Sequence, residues 1–191
     1  MSPRTEQQFE EIREERRKQI MQVALELIAE EGFSNVTISK IAKRADISKG
    51  LMYNYFESKE QLILEIMISG INEFTRALDP NNDGFLSDDE MHNFIDEVFI
   101  ILKSNFRFWR LYFMIMFQPE VFKLIESDIE KLMAPFMNTA LNYFKRKGSA
   151  DPVTDLRFFG AVFDGISLNY VMDHKNFPLE GIKEKLHTMY K

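Results

Sequence analysis

Residues 37–59, TISKIAKRADISKGLMYNYFESK, constrain this chain more than any other stretch. Two short apolar-periodic segments flank a turn, Ala45-Asp46-Ile47, and each follows a residue able to start a helix. Thr37 stands at an N-cap position, and Ile38, Ile41 and Ala42 follow with the spacing of one helical face. Ser48 is placed to cap a second helix, and Ile47, just before that cap, is set to pack on Met52 as a hydrophobic staple. The second helix, expected over residues 49–56, is too short and too mixed in polarity to be a core element. Lys49, Tyr53, Asn54 and Tyr55 give it a cation and several hydrogen-bonding tips. A turn-linked pair with a polar second helix is the layout of a helix-turn-helix reading head. The partner it implies is duplex DNA.

The pattern from position 37 to 62, Thr-Ile-x-x-Ile-Ala-x-x-Ala-x-Ile-Ser-x-Gly-x-x-Tyr-x-x-Phe-x-Ser-Lys-Glu-x-Leu, resembles the N-terminal domain of TetR-family transcriptional regulators. There are three departures. Asp46 replaces the usual turn glycine, and Asp tolerates left-handed backbone better than most residues. Leu51-Met52 stands where Thr-Leu is common, and Tyr55 where His is common; both bear on sequence preference. The resemblance implies an all-α chain with a three-helix DNA-binding domain over 1–60 and a helical effector-binding and dimerisation domain over 61–191. It also implies that Thr37, Tyr53, Tyr55 and Lys59 contact phosphates. Lys49, Gly50, Leu51 and Asn54 then belong to the part of the recognition helix that meets the major groove, and Ser48, its cap, is counted with the DNA-binding residues. Physical chemistry agrees, because hydroxyls, cations and helix N-termini bind phosphates and fix register. Asn54 suits adenine and Lys49 guanine, although both pairings are generic.

The bulk composition fits this reading. A length of 191 residues allows a sizeable core, and the prevalence of Leu, Ile, Met and Phe over Val and Thr favours helices. The absence of cysteine excludes disulfides, thiolate metal sites and cysteine nucleophiles. No apolar run reaches the ~18 residues of a membrane span, and the N-terminal sequence does not read as a signal peptide, so a cytoplasmic protein is expected. The net charge is −6, yet residues 33–60 carry five basic and three acidic side chains. A DNA surface needs a local basic footprint rather than a basic protein.

Along the chain, residues 1–10 are polar, with Arg4 the only cation, and loose order is expected there. A helix is expected over 11–31, with Gly32 ending it as a left-handed cap. Ser58 and Gln61 read as a capping box that opens a helix to about 78. Helices are then expected over 87–103, 106–117, 119–147 with Pro135 as a kink or break, 153–173 and 179–190. The last two, with apolar residues on more than one face, read as the two-fold dimer interface that the resemblance implies.

Residues 94–122 are dense in aromatics and methionine. Core packing accounts for most of them. Phe94, Phe106, Trp109, Tyr112, Phe113, Met116 and Phe117 are the candidates to line a pocket for a small apolar or amphipathic effector, as the resemblance implies. Residues 79–90, DPNNDGFLSDDE, match an EF-hand calcium loop: Asp79, Asn81 and Asp83 supply oxygens, Gly84 the turn, Phe85 a carbonyl, Ser87 the ninth position and Glu90 the bidentate twelfth. An Asx-rich turn followed by a capping box explains Ser87 and Glu90 as well. No enzyme motif is present, and no cofactor is required. His92, His174 and His187 lack metal-ligand spacing. The expected function is therefore a homodimeric, ligand-responsive regulator, more a repressor than an activator, on an inverted-repeat operator. The alternative is a calcium-responsive binding protein in which the loop is the main sensor.

Overall fold

The computed structural model of the chain describes residues 6–190; Arg4 lies outside them. The elements are α1 (Glu6–Glu31), a 3-10 turn (Phe33–Asn35), α2 (Ile38–Arg44), α3 (Lys49–Tyr53), α4 (Lys59–Leu78), α5 (Asp88–Ser104), α6 (Phe106–Met116), α7 (Pro119–Arg146), α8 (Pro152–Met172) and α9 (Leu179–Met189). The described residues contain no strand, and the chain is all-α as expected. They form two compact units. One comprises the chain to Met67 with Met114–Ile125, the other Ile68–Phe113 with Glu126–Lys191. A domain boundary at 60/61 would fall inside the first turn of α4, and the α6–α7 elbow belongs with the N-terminal unit.

In the N-terminal unit, α1 begins earlier than its apolar periodicity suggests. Residues 6–19 are largely exposed, so apolar spacing carries no signal there. Glu14 and Lys18 lie in the favourable i, i+4 order, which supports a solvated helix. Ile20, Ala24, Leu25 and Ile28 are fully buried, and Ile41, Met52, Leu62, Ile63 and Ile66 complete the core, with Ile115, Val121 and Ile125 of the elbow. Gly32 ends α1 with φ 82° and ψ 149°. The φ is positive as anticipated, but the ψ takes it out of the αL well into a region open essentially to glycine alone.

The second unit is held by rings. Trp109 is fully buried, donates from Nε1 to the Ile101 carbonyl at 2.9 Å and packs on Phe74 at 4.8 Å between centroids. Tyr112 lies against Trp109 and Phe113, and burial pushes its hydroxyl well above the usual tyrosine range. Phe94, Phe159 and Phe163 form a second cluster, with Tyr190 against Phe159 and Phe163. Aromatic pairs at such distances add to the effect of burial itself. Helix α7 continues through Pro135 instead of breaking there.

Helices α4 and α6 meet at Gly70, where a Cβ would stand 2.4 Å from Tyr112 Cε2. The Tyr112 ring is wedged among its neighbours and has no room to retreat. Gly70→Ala is therefore expected to destabilise the protein by about 1–3 kcal/mol through overpacking, despite alanine's better helix propensity. Thermal unfolding of the variant checks this; an unchanged or higher midpoint refutes the close contact.

Candidate nucleic-acid interface

The helix-turn-helix is assembled by caps of short range. Thr37 Oγ1 accepts from Lys40 N–H at 3.2 Å to start α2, and Ser48 Oγ accepts from Leu51 N–H at 3.1 Å to start α3. Between them Asp46 has φ 54°, the left-handed geometry that the missing turn glycine demands. Helix α3 is shorter than expected: it ends at Tyr53, and Asn54 is its C-cap. Met52 and Phe56 point inward, 0% and 1% exposed. Thr37, Ser48, Lys49, Gly50, Leu51, Tyr53 and Asn54 are exposed and Tyr55 is half-buried. Tyr53 keeps 48% of its surface, which argues against an ordinary core aromatic.

The cations of this region are not equivalent. Lys40 pairs with Glu31 at 2.6 Å and Arg44 with Glu30 at 3.2 Å, both acids at the end of α1. Lys59 turns inward: its Nζ donates to the Phe33 carbonyl at 2.7 Å and lies 3.9 Å from the Phe33 ring centroid. Lys43 and Lys49 are exposed, and Lys49 Nζ lies 6.0 Å from the Tyr53 ring centroid. The surface that remains is a short helix N-terminus with one lysine and the polar tips of Tyr53 and Asn54. It can approach phosphates and base edges alike.

The second unit holds a cleft of about 710 Å³. Thr75, Arg76 and Leu78 of α4, Asp79, Pro80, Asn82, Asp83 and Gly84 of the loop and Leu132, Pro135, Phe136 and Thr139 of α7 line it. None of the seven aromatic and methionine candidates lines it. Phe94, Trp109, Tyr112 and Phe113 are buried in ring packing, Phe106 and Met116 are half-buried, and Phe117 is 63% exposed. Phe94 lies directly behind the cleft, 6.3 Å from the Phe136 ring.

The 79–90 loop has the internal bonding of a tight Asx-rich turn. Asp79 accepts from the N–H groups of Asp83 and Gly84 at 3.1 and 2.9 Å, and Asp83 accepts from Phe85 N–H at 2.8 Å. Gly84 has φ 73°. Glu90, expected to close the ion site, instead accepts from the Ser87 N–H and hydroxyl, both at 2.8 Å, in a capping box. Among the described residues no three His, Cys, Asp or Glu side chains converge to hold a metal ion. The six expected calcium ligands are thus not gathered as they stand. The competing reading, a turn plus a cap, describes the bonding observed.

A polar junction escaped the sequence reading. His92 of α5 stacks on His187 of α9 at 5.2 Å, and Asp96 accepts from Lys183 at 2.7 Å and faces His187 Nε2 at 3.3 Å. Burial works against ionisation of Asp96, but the bonds from Lys183 and His187 outweigh it and hold the carboxyl below its ordinary range. The only hint in sequence is that each helix places its two polar residues one turn apart.

This geometry defines a helix-turn-helix protein. Residues 20–66 match the family model described as bacterial regulatory proteins, tetR family, so this part of the chain is similar to the helix-turn-helix domain of those regulators. It is 34% identical over 61 residues to the fatty acid metabolism regulator protein of Bacillus subtilis, covering 32% of this chain and 31% of that one. It is 43% identical over 61 residues to the transcriptional regulator BetI of Agrobacterium fabrum, covering 32% and 30%. The chain spans between about a quarter and under a half of the length of the curated relatives it matches. In structure it is similar to the Bacillus subtilis regulator FadR in complex with stearoyl-CoA, with TM-score 0.69 and 19% identity over 91% of this chain and 96% of the other. That likeness shows the fold. No helix among the described residues is long and apolar enough to cross a membrane.

Proposed function

We propose that the protein is a homodimeric transcriptional repressor that binds an inverted-repeat operator in the cytoplasm and is released by a small amphipathic effector. The observation that carries the reading is the one-sided exposure of α3. Lys49, Gly50, Leu51, Tyr53 and Asn54 face solvent while Met52 and Phe56 anchor the helix from behind. Thr37, Ser48 and Tyr55 flank this face and serve as phosphate contacts.

The dimer would form through α8 and α9. Phe158 and Met172 of α8 are 52% and 75% exposed, and Ala161, Val162, Gly165 and Ile166 line a groove with Phe177 and Ile182. A helix apolar on its outer side needs a second covering surface. For the effector we propose the cleft between α4 and α7. Leu78, Leu132, Pro135 and Phe136 offer it an apolar wall, and Arg76 with Thr75 and Thr139 a polar one. The apolar wall suits a long apolar tail like that of the stearoyl-CoA in the FadR complex, and Arg76 is the one lining cation for an acidic head, beside the carboxylates of Asp79 and Asp83. The buried rings of Phe94, Trp109, Tyr112 and Phe113, with Phe106, would back the pocket and respond to its filling; Met116 and Phe117 belong to the N-terminal unit.

A second reading is favoured by one observation, the Asp79 carboxylate that already organises the turn at Asp83 and Gly84. In it, calcium would draw Glu90 away from Ser87 and gather Asp79, Asn81, Asp83, the Phe85 carbonyl and Ser87 around the ion. A calcium-responsive binding protein would then use this loop as its sensor.

Three outcomes are expected. Selection from random DNA should recover an inverted repeat, and Asn54→Ala should change the preferred bases by about 1–3 kcal/mol at one position of each half-site. Tight binding of a single half-site by a stable monomer would sink the dimeric reading. Long-chain acyl-CoA or free fatty acid should release the recovered duplex, and Phe136→Ala should weaken that response about tenfold or more; equal potency on the variant removes the cleft from the mechanism. For the loop, calorimetry should show calcium binding lost in Glu90→Gln, since glutamine still completes a capping box but cannot ligate as a carboxylate. Identical traces for both proteins leave only a capped turn.

A further inference from the structure

The peptide of Phe33, just beyond the end of α1, is bonded by side chains at both its N–H and its carbonyl. Its N–H donates to Gln118 Oε1 at 2.9 Å, and its carbonyl accepts from Lys59 Nζ at 2.7 Å. The Phe33 ring lies 3.9 Å from the same ammonium. Gln118 also donates from Nε2 to the Ile28 carbonyl at 3.3 Å, beside the Gly32 N–H that bonds the same oxygen at 2.9 Å. The Phe33 and Ile28 carbonyls each also accept a backbone N–H, from Val36 at 3.3 Å and from Gly32, so Lys59 and Gln118 add side-chain bonds to a turn already closed by backbone bonds. Here both partners come from far along the chain.

Both partners sit at the start or joint of another element. Lys59 is the first residue of α4. Gln118 is the elbow between α6 and α7: its N–H bonds the Ile115 carbonyl at 3.0 Å, and its own carbonyl accepts from Phe122 N–H at 2.9 Å. Its backbone therefore shapes the elbow while its side chain holds the end of α1. Lys59 and Gln118 are both half-buried, so water competes only partly for these bonds.

We propose that Lys59 and Gln118 are positioning residues of the DNA-reading unit, gripping the Phe33 peptide from its two ends. They fix the foot of α4 and the α6–α7 elbow to the end of α1, and Lys59 contacts no phosphate. The elbow thereby becomes a working part of the unit that carries α3. A shift of the elbow would have to break or carry the Phe33 peptide. Only the DNA arm of the test below rests on the operator-binding reading.

Amide hydrogen exchange on the intact chain tests the grip without DNA. The Phe33 amide should be protected in the wild type, and Gln118→Ala should speed its exchange at least tenfold. Gln118→Glu keeps an acceptor for that N–H and should stay close to wild type, which separates the bond from general loosening. Lys59→Met should lower the thermal midpoint by about 2–4 °C, the shift that follows loss of one partly buried bond in a chain of this size. A Phe33 amide that exchanges freely in the wild type, or equally in all three proteins, overturns the proposal. On the inverted-repeat duplex recovered by selection, Lys59→Met should leave the salt dependence of binding unchanged. A salt slope reduced by ~1 with an unaltered thermal midpoint would show a phosphate contact and overturn the assignment of Lys59.

Discussion

A five-residue helix has no stability of its own, because nucleation costs more than so few backbone bonds return. Helix α3 exists because Met52, within it, and Phe56, just beyond it, are pressed into the core beneath and Ser48 caps its first turn. Every exposed side chain of the reading face is held by those two burials. Fully burying two such side chains supplies roughly 3–6 kcal/mol, against about 1 kcal/mol for the cap. Packing therefore fixes where the reading face points, and the cap fixes where the helix starts.

How much of this was legible in the sequence follows from the range of each interaction. Thr37 and Ser48 cap helices through bonds to residues three positions away, as read, and Ser87 does so as the alternative to the calcium loop described. Asp46 in left-handed geometry was legible for the same reason, since a four-residue window contains its cause. The end of α3 at Tyr53 was not, because an apolar Phe56 continues the periodicity after the backbone has left the helix. The inward turn of Lys59 was hidden as well. Nothing in a lysine says that its ammonium will bond a carbonyl 26 residues upstream. The pairing of His92 with His187, and of Gln118 with Phe33, likewise needs the folded chain to bring distant residues together.

The aromatic stretch and the acidic loop show how one pattern can serve two ends. Rings at helical spacing satisfy both a core and a pocket wall, and the structure spends Trp109, Tyr112 and Phe113 on close packing. The cleft instead opens where a loop replaces a helix, beside residues 79–84, and its wall is drawn from α7. In the loop, the oxygens that could ligate an ion already accept backbone N–H groups. An acidic turn and an ion site demand the same residues up to the twelfth position. Only the direction taken by Glu90 tells them apart.

Pro135 lies in the interior of α7 and in the wall of the cleft. A proline has no N–H, so the carbonyl of Lys131, one turn earlier, lacks the intrahelical donor that its position would otherwise supply. Bending α7 at that turn sacrifices one hydrogen bond fewer than bending it elsewhere. The wall is thus a rod with a built-in weak section, facing the space where a guest molecule would sit. If the cleft takes an effector as proposed, flexing at this section would let α7 follow guests of different girth.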